Sequence, residues 1–284
     1  MKNILVTGGV GFIGTNLIKT LIKDNYYITS FDNYSTGLKK NEIEGVKYIN
    51  SDIELIDQLE SKFDLCFHLA AQSRVQPSFE DPQESARVNV NGTMKVMEWA
   101  KKQNVKVIYA GSSSKHHDPS DSPYAMTKYL GEEICKLYKK SFKVNVEIAR
   151  FYNVYGPNEP LDEKFGNVIG IWREKVKLNK PLTIVGDGNQ KRDFTHVDDI
   201  IDGILKIAFS NKNHSDAWEL GSGISYSIKE LFNMFKERFN ATSVYVDDQP
   251  GNYRQTLRVN DDLLEELNWN PKDRLKDYIN SLNL

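Results

Sequence analysis

The sequence predicts an α/β fold built on a doubly wound, mostly parallel sheet, with a smaller C-terminal α/β lobe. Two observations support this prediction. Short runs rich in β-branched residues alternate with segments whose apolar residues recur at helical spacing. A glycine-rich turn joins the first such run directly to the first helical segment. With 284 residues, 39% of them apolar, the chain can bury a core without disulfides or metal.

The first forty residues predict a dinucleotide site. The run Asn3–Thr7 (NILVT) fits a buried strand, and GGVGFIG follows it. Gly9, Gly11 and Gly14 satisfy G-x-G-x-x-G, and Gly8 begins the related G-x-x-G-x-x-G. Glycines at these places allow a tight turn and let backbone N–H groups approach a pyrophosphate at the start of a helix. A glycine motif alone is weak evidence, but strand, turn and helix together predict a Rossmann-type domain.

An acidic residue favours one of the two nicotinamide dinucleotides. The second predicted strand, 26–32, ends at Asp32, which lies 18 residues after Gly14. A carboxylate at this place accepts hydrogen bonds from the adenosine ribose hydroxyls and repels a 2′-phosphate. The sequence therefore predicts NAD rather than NADP as the cofactor.

Three further predicted strands end in small or polar residues. The third ends at Asp52 and Ile53, the fourth at Ala70 and Ala71, and the fifth in the serines 112–114. In open α/β sheets, ligands bind outside the carboxyl ends of the strands. We therefore expect an adenine contact at the third strand and a ligand close to the backbone at the fourth.

The stretch YAGSSSKHHDPSDSPYAMTK, residues 109–128, contains the candidate catalytic groups. Tyr124 and Lys128 are four residues apart in a segment with helical spacing, so both side chains lie on one helix face. A free tyrosine, with a pKa of about 10, is a poor base at neutral pH, but a neighbouring ammonium and a positive nicotinamide ring favour the phenolate. The pair then suits general acid–base catalysis on a secondary alcohol whose oxygen a serine of the fifth strand also holds.

At this point the chain resembles the extended short-chain dehydrogenases/reductases, in particular the NAD-dependent sugar-nucleotide epimerase/dehydratase group that includes UDP-glucose 4-epimerase. The resemblance covers nearly the whole chain. It is carried by motifs in the family's order: TGGVGFIG (7–14), DNYSTG (32–37), DI (52–53), HLAAQ (68–72), NVNGT (89–93), GSSS (111–114), SPYAMTK (122–128), RFYNVYGP (150–157), LTIVGDGNQKRDFTHVDD (182–199) and WELGSG (218–223).

The resemblance implies roles for individual residues. It assigns Ser112, Tyr124 and Lys128 to catalysis and to the cofactor site. The other implied cofactor contacts are Gly8, Gly11, Phe12, Ile13, Gly14, Asp32, Asn33, Ser35, Thr36, Gly37, Asp52, Ile53, Ala70, Ala71, Gln72, Asn89 and Phe151. The implied substrate contacts are Ser113, Asn153 on the phosphate side, Arg192 on the nucleotide diphosphate, and Arg254 as a compensating cation. No metal site is expected.

The implied reaction is epimerisation of a nucleotide sugar, through C4 oxidation to a 4-keto intermediate, with a UDP-hexose as substrate. Two alternatives stay open. A reductase or dehydrogenase of a nucleotide-linked keto-sugar would use the same residues but exchange its cofactor. A non-catalytic NAD-binding regulator would have no need of the serine, tyrosine and lysine.

Three departures from the family pattern bear on the substrate and the reaction. Only twelve positions separate Ser112 from Tyr124, so the loop over the sugar is short and closure of the site is expected to pass to other residues. The acidic pair of the dehydratases is replaced by Ser113 and Ser114, which disfavours elimination of water and, equally, decarboxylation. Gln249 stands where relatives often have the arginine of an RPGD motif.

Composition limits the partners and the compartment. A formal net charge of −2 makes nucleic acid an unexpected partner. Because no apolar run is long enough to span a bilayer, we expect a soluble, cytoplasmic protein. The two cysteines, Cys66 and Cys135, are predicted to be ordinary reduced thiols.

The chain is predicted to divide into two lobes. Residues 1–153 with 194–222 are expected to bind the cofactor, and residues 154–193 with 223–284 to bind the sugar nucleotide. The resemblance also implies a homodimer formed through the helices that begin near Asn89 and Tyr124.

Several conspicuous residues are predicted to be structural. His68 is expected to be a hydrogen-bonded core histidine, and His116 and His117 to lie in a solvated loop. His196 is expected at a helix start, where the following acids suit the positive helix end. The tryptophans, Trp99, Trp172, Trp218 and Trp269, are predicted to pack in cores.

Overall fold

The computed structural model describes residues 2–284, and within them the chain forms 13 strands and ten α-helices. The strands are β1 (Asn3–Thr7), β2 (Tyr27–Asp32), β3 (Lys47–Asn50), β4 (Leu65–His68), β5 (Lys106–Ser112), β6 (Val146–Phe151), β7 (Val154–Tyr155), β8 (Leu182–Val185), β9 (Lys191–Asp193), β10 (Thr195–His196), β11 (Trp218–Leu220), β12 (Ser225–Ser227) and β13 (Ser243–Val246). The helices are α1 (Phe12–Leu21), α2 (Val75–Glu80), α3 (Pro82–Ala86), α4 (Thr93–Gln103), α5 (Pro123–Phe142), α6 (Val168–Lys177), α7 (Val197–Phe209), α8 (Ile228–Phe239), α9 (Asp262–Leu267) and α10 (Leu275–Ser281).

Seven strands form one parallel sheet in the order β11-β6-β5-β4-β1-β2-β3. The chain builds outward from β1 through β2 to β3, then returns to place β4, β5 and β6 on the other side of β1. The order reverses between β1 and β4, where ligands bind in folds of this kind. The prediction of a Rossmann-type, doubly wound sheet is confirmed.

Both faces of the sheet are covered by helices. Ile4 and Val6 of β1 belong to a core shared with α1 and α7, whereas Leu5 belongs to the core on the opposite face, shared with α4 and α5. Side chains alternate between faces along a strand, so a continuous apolar run such as Ile4–Val6 suits a strand that is buried on both sides.

A third core lies in the C-terminal part of the chain. Trp172 of α6, Leu182 of β8, Phe235 of α8 and Ile279 of α10 are fully buried within it. Three two-stranded pairings accompany this core: β7 with β10, β9 with β12, and β8 with β13. The four tryptophans are all buried, as predicted.

The predicted lobe boundaries stay a prediction, but two packing relationships bear on them. β11 lies beside β6 in the main sheet, as the assignment of 194–222 to the cofactor lobe requires. Leu263 of α9 and Trp269, which were assigned to the substrate lobe, pack instead in the core around α7.

Candidate active site

A cavity of about 1000 Å³ lies at the carboxyl ends of the central strands and extends to the C-terminal lobe. It is large for a single small ligand. The predicted site residues that line it are Gly8, Gly11, Phe12, Ile13, Gly14, Asp32, Asn33, Ser35, Thr36, Ile53, Ala70, Ala71, Gln72, Ser112, Ser113, Tyr124, Lys128, Phe151, Asn153 and Arg192. The structure does not bring Gly37, Asp52, Asn89 or Arg254 to its lining.

The glycine turn leaves the start of α1 open to this cavity. Gly8 has a φ of +72°, and a Cβ there would lie 2.8 Å from the backbone nitrogen of Ala70. A Cβ on Gly14 would overlap the carbonyl oxygen of Gly8. No side chain caps α1, and the amides of Phe12, Ile13 and Gly14 have no acceptor within residues 2–284. Uncapped amides at a helix N-terminus attract an anion such as a pyrophosphate.

Asp32 ends β2 at the rim of the same cavity. Its carboxylate accepts hydrogen bonds from the amides of Val10 and Tyr34, at 3.1 and 2.8 Å. Burial raises the pKa of Asp32, and these two amides partly offset that rise. The carboxylate lies where the hydroxyls of an adenosine ribose would meet it, and it would repel a phosphate there. The turn, the helix end and the acid together fit NAD.

Three predicted cofactor residues support the cavity wall from behind. Asp52 is bound by the guanidinium of Arg87 at 2.8 and 3.0 Å, and this contact lowers its pKa to about 2. Asn89 exchanges hydrogen bonds with the backbone of Gln72, at 2.8 and 3.0 Å. Gly37 packs tightly against Val10, whose side chain and backbone leave no room for a Cβ. Direct contact of these three residues with the cofactor stays a prediction.

The candidate catalytic hydroxyls meet at the end of β5. Tyr124 Oη lies 3.2 Å from Ser112 Oγ, and Ser112 Oγ also accepts hydrogen bonds from the amide and the hydroxyl of Ser114. Ser122 caps α5 by accepting a hydrogen bond from the amide of Ala125, which fixes where the helix begins and so where Tyr124 points. An alcohol oxygen placed between the two hydroxyls could contact both.

Lys128 lies one turn further along α5 and is buried. Its ammonium donates to the carbonyl of Ala110 at 2.5 Å and to the hydroxyl of Tyr109 at 3.1 Å. Burial lowers the pKa of Lys128 to about 8. The predicted helix and the shared face of Tyr124 and Lys128 are confirmed, while the role of Lys128 toward the phenol stays a prediction.

Burial raises the pKa of the Tyr124 phenol. The hydrogen bond that Tyr124 shares with Ser112 lowers this pKa in part, and so does the positive charge of Arg74. Sequence reasoning missed Arg74, although it follows HLAAQ in the loop after β4, where a cation points toward the site. Arg74 lines the cavity together with Tyr124.

A buried ion network lies directly behind Ser112. Glu132 and Arg150 are paired at 2.8 Å, and Arg150 also binds Glu219 at 2.8 Å. The three side chains are at most 2% exposed, and Glu132 accepts a hydrogen bond from the amide of Ser112 at 3.3 Å. No local pattern predicts this network, because its members come from α5, β6 and β11.

The short loop is partly solvated, since His116 is exposed and His117 is half-buried, but both histidines also make contacts that the sequence did not predict. His116 Nε2 lies 3.0 Å from a carboxylate oxygen of Glu219, and the ring of His117 stacks on Tyr253 with ring centroids 3.8 Å apart. Because the loop is short, its rings reach the protein surface beneath it. Tyr253, from the segment after β13, lines the cavity.

The predicted substrate residues differ in their surroundings. Arg192 donates to the carbonyls of Lys191 and Tyr253 and to the side chain of Asn252, and burial lowers its pKa to about 10. Asn153 donates to the carbonyl of Asp193 and the hydroxyl of Thr256. Their contacts with a substrate stay predictions.

Arg254 lies outside the cavity. Its side chain is 68% exposed and pairs with Asp187 at 3.1 Å, so the structure gives it no place in the site. Gln249 does line the cavity, at the place where the sequence departs from the family pattern.

The remaining sequence predictions concern single residues and the membrane. His68 is buried between the hydroxyls of Thr7 and Thr93, at 2.8 and 3.2 Å, and His196 caps α7, both as predicted. Within residues 2–284, no helix is both long and apolar enough to cross a membrane, and no three metal-binding side chains cluster.

Comparison with known proteins agrees with this site. The sequence model of the NAD dependent epimerase/dehydratase family matches residues 4–221. A candidate UDP-glucose 4-epimerase of Methanocaldococcus jannaschii is 34% identical over 97% of this chain and 95% of its own. UDP-glucuronic acid decarboxylases and dTDP-D-glucose 4,6-dehydratases are also relatives, so likeness alone does not assign the reaction.

Two solved structures share the fold over almost the whole chain. The UDP-glucose 4-epimerase of Thermotoga maritima, solved with UDP-glucose, has a TM-score of 0.91 at 27% identity, over 98% of this chain and 96% of that one. The UDP-glucuronic acid 4-epimerase of Bacillus cereus, solved with its substrate and NAD, has a TM-score of 0.90 at 29% identity, with the same coverage. Because the family model matches most of the chain, this chain belongs to the NAD-dependent epimerase/dehydratase family, and NAD is its cofactor.

Proposed function

We propose that the protein epimerises a nucleotide hexose at C4, and that the nucleotide is UDP. The contact between Tyr124 and Ser112 carries the proposal, because it sets two hydroxyls 3.2 Å apart at the mouth of the cofactor cavity. An alcohol oxygen held by both can lose its proton to the tyrosine while its carbon loses hydride. The names of the similar proteins, which are mostly UDP-sugar enzymes, support the choice of nucleotide.

The reaction balances without an external reductant. Tyr124 takes the proton of the C4 hydroxyl, and Ser112 holds the same oxygen. The glycine turn and Asp32 would hold NAD, and its nicotinamide ring would supply the hydride chemistry at C4 in both directions. The 4-keto sugar turns over in the cavity, Tyr124 gives back its proton, and the C4 configuration is inverted. Lys128, one helical turn from Tyr124, is proposed to favour the phenolate.

The positions of the few carboxylates in the cavity lining favour epimerisation over elimination of water or decarboxylation. Among the described residues, the only carboxylates in the lining are Asp32, at the ribose rim, and Glu163, which pairs with Lys175 at 3.2 Å. Beside Ser112 the lining has Ser113 and Ser114. Loss of water from the sugar needs a proton donor and a base near C5 and C6, and serine hydroxyls are poor at both tasks.

The test uses purified protein without added cofactor. It is incubated with UDP-glucose, UDP-galactose and the two corresponding uronic acids, and C4 epimers are resolved by chromatography. We expect one C4 pair to interconvert, and Tyr124→Phe to abolish the interconversion. If no pair interconverts and the protein instead oxidises added NADH in the presence of a 4-keto sugar nucleotide, the reductase alternative replaces the epimerase.

We also propose that two copies associate through α4 and α5. These helices pack side by side and expose five large apolar side chains, Met94, Met126, Leu130, Leu137 and Phe142. A cluster of this kind is typical of an interface between subunits. Sedimentation equilibrium should give twice the mass of the chain, and Leu130→Glu with Leu137→Glu should give a single chain; a monomeric wild type would contradict the proposal.

A further inference from the structure

Arg74 is a cavity cation that the reaction described above does not use. It precedes α2, and its Nε donates to the carbonyl of Phe165 at 2.6 Å. Among residues 2–284, neither Nη atom of Arg74 makes a hydrogen bond, and Arg74 forms no salt bridge with a carboxylate. Neither Nη atom is fully buried, and Arg74 is one of the residues that line the cavity.

The acids nearest to Arg74, Glu159 and Asp162, bind other groups. Glu159 is fully buried against Arg173, at 2.8 Å, and Asp162 accepts hydrogen bonds from the amides of Lys164 and Phe165. A partly buried guanidinium without an anion is costly, because its desolvation is not repaid by a partner. Its free donors therefore point to a negatively charged group that arrives with the ligand.

Arg74 lies at the reacting end of the cavity. Ser78, in α2, accepts a hydrogen bond from the amide of Tyr124 at 3.0 Å, which ties the start of α2 to the start of α5. The charge of Arg74 is close enough to Tyr124 to lower the pKa of the phenol. Arg192, the cation predicted to bind the diphosphate, is held instead by Asn252 and Tyr253 of the C-terminal segment.

We propose that Arg74 binds a carboxylate on the sugar ring, so that the preferred substrate is a nucleotide hexuronate. This inference rests on the proposed C4 epimerisation. In a nucleotide hexose the diphosphate is attached at C1, and C4 lies across the ring from it. C5, next to C4, carries the C6 group, which is a hydroxymethyl in a hexose and a carboxylate in a hexuronate. Two Nη donors match a carboxylate in a bidentate pair.

The experiment measures binding, so that it does not depend on turnover. UDP-glucuronic acid and UDP-glucose differ only in the carboxylate or hydroxymethyl at C6. Their dissociation constants are measured by calorimetry on the NAD-loaded Tyr124→Phe protein, with and without Arg74→Gln. We expect UDP-glucuronic acid to bind at least tenfold more tightly, and Arg74→Gln to bring the two constants within about threefold, since a charge-assisted hydrogen bond is lost.

A second variant and the content of bound cofactor separate a loss of binding from a loss of folding. The NAD content and thermal midpoint of each variant show whether it is folded. If Arg74→Gln is not folded, Arg74→Lys is measured instead, because lysine keeps the positive charge but lacks the paired donors of the guanidinium. In that variant the preference for UDP-glucuronic acid should fall several-fold without disappearing. The inference is overturned if the protein that keeps Arg74 shows no preference for UDP-glucuronic acid over UDP-glucose. It is also overturned if Arg74→Gln and Arg74→Lys leave that preference unchanged.

The two proposals can fail separately. If Arg74 acts on the phenol rather than on the substrate, Arg74→Gln lowers kcat equally for both sugars and leaves the binding ratio unchanged, which overturns the inference and leaves the epimerase standing. If the uronate preference depends on Arg74 but the wild-type protein epimerises neither sugar, the inference stands and the proposed reaction falls.

Discussion

Glu132 and Arg150 form a buried ion pair immediately behind the serine that contacts Tyr124. Arg150 donates to one carboxylate oxygen of Glu132 at 2.8 and 3.0 Å, and the other oxygen accepts a hydrogen bond from the amide of Ser112 at 3.3 Å. The pair therefore joins α5, which carries Tyr124, to β5, which carries Ser112. Its integrity is expected to set the distance between the two candidate catalytic hydroxyls.

Breaking this pair should destabilise the protein strongly. Arg150→Met leaves two buried carboxylates, Glu132 and Glu219, without their shared cation, and we expect a loss of about 3–5 kcal/mol in the free energy of unfolding. Denaturant unfolding gives this value. As a matched control, Lys276→Ala removes the exposed pair with Glu237 and should cost less than about 1 kcal/mol. Equal losses in the two variants would contradict the account.

Removing the phenol should stop the reaction and spare the fold. Tyr124→Phe keeps the ring and loses the proton acceptor, so we expect kcat to fall by about 10²–10⁴ with NAD still bound. Tyr129→Phe, on the same helix but outside the cavity lining, is the control and should keep its activity. Turnover in Tyr124→Phe within tenfold of the wild type would assign the acid–base role to another group.

Acid should destabilise the protein through His68. Burial lowers the pKa of His68 to about 3, below its ordinary value near 6.5, so the unfolded chain binds a proton that the folded protein does not. Stability is then full above about pH 6.5 and declines as the pH falls toward 3, by up to ~1.4 kcal/mol per pH unit.

The comparison that isolates this effect uses His68→Asn. The variant loses hydrogen bonds to Thr7 and Thr93, so its stability is lower at every pH, and the slope rather than the level is compared. Between pH 4 and 6.5 the free energy of unfolding should fall less steeply for His68→Asn than for the wild type. Parallel curves would show that His68 does not contribute.

Tyr253 should hold the segment after β13 over the substrate. Its ring stacks on His117, and such a pair contributes about 0.5–1.5 kcal/mol. We expect Tyr253→Ala to raise KM for the nucleotide sugar and to speed amide hydrogen exchange in residues 247–254. Tyr245→Ala, an exposed aromatic outside the cavity, should do neither. Unchanged exchange in Tyr253→Ala would remove the role in closure.

The fold and the cofactor half of the site were predictable because their signals are local. The turn from Gly8 to Gly14 and the acid at Asp32 are read from adjacent residues, and strand ends in a parallel sheet gather at one edge. Tyr124 and Lys128 could be placed on one face from their spacing alone.

The rest depends on tertiary contacts that spacing does not reveal. His117 stacks on Tyr253, which lies more than a hundred residues later in the chain. Arg74 is of interest because it has no ion-pair partner in the structure, and sequence spacing does not show this. Arg254 was placed in the site by analogy, but it pairs with Asp187 on the surface. Asn89 fixes the loop at Gln72 through two hydrogen bonds, which its position in the sequence does not reveal.

The most direct test of the proposed reaction follows the hydrogen at C4. A UDP-sugar labelled with deuterium at C4, as the hexose and as the uronic acid, is incubated with the purified protein, and the product is analysed by mass spectrometry and NMR. The account predicts a product of unchanged mass that keeps the deuterium at C4 with inverted configuration. Two results would contradict the proposed epimerisation: a product that has lost water and carries the deuterium at C6, or a product that has lost carbon dioxide.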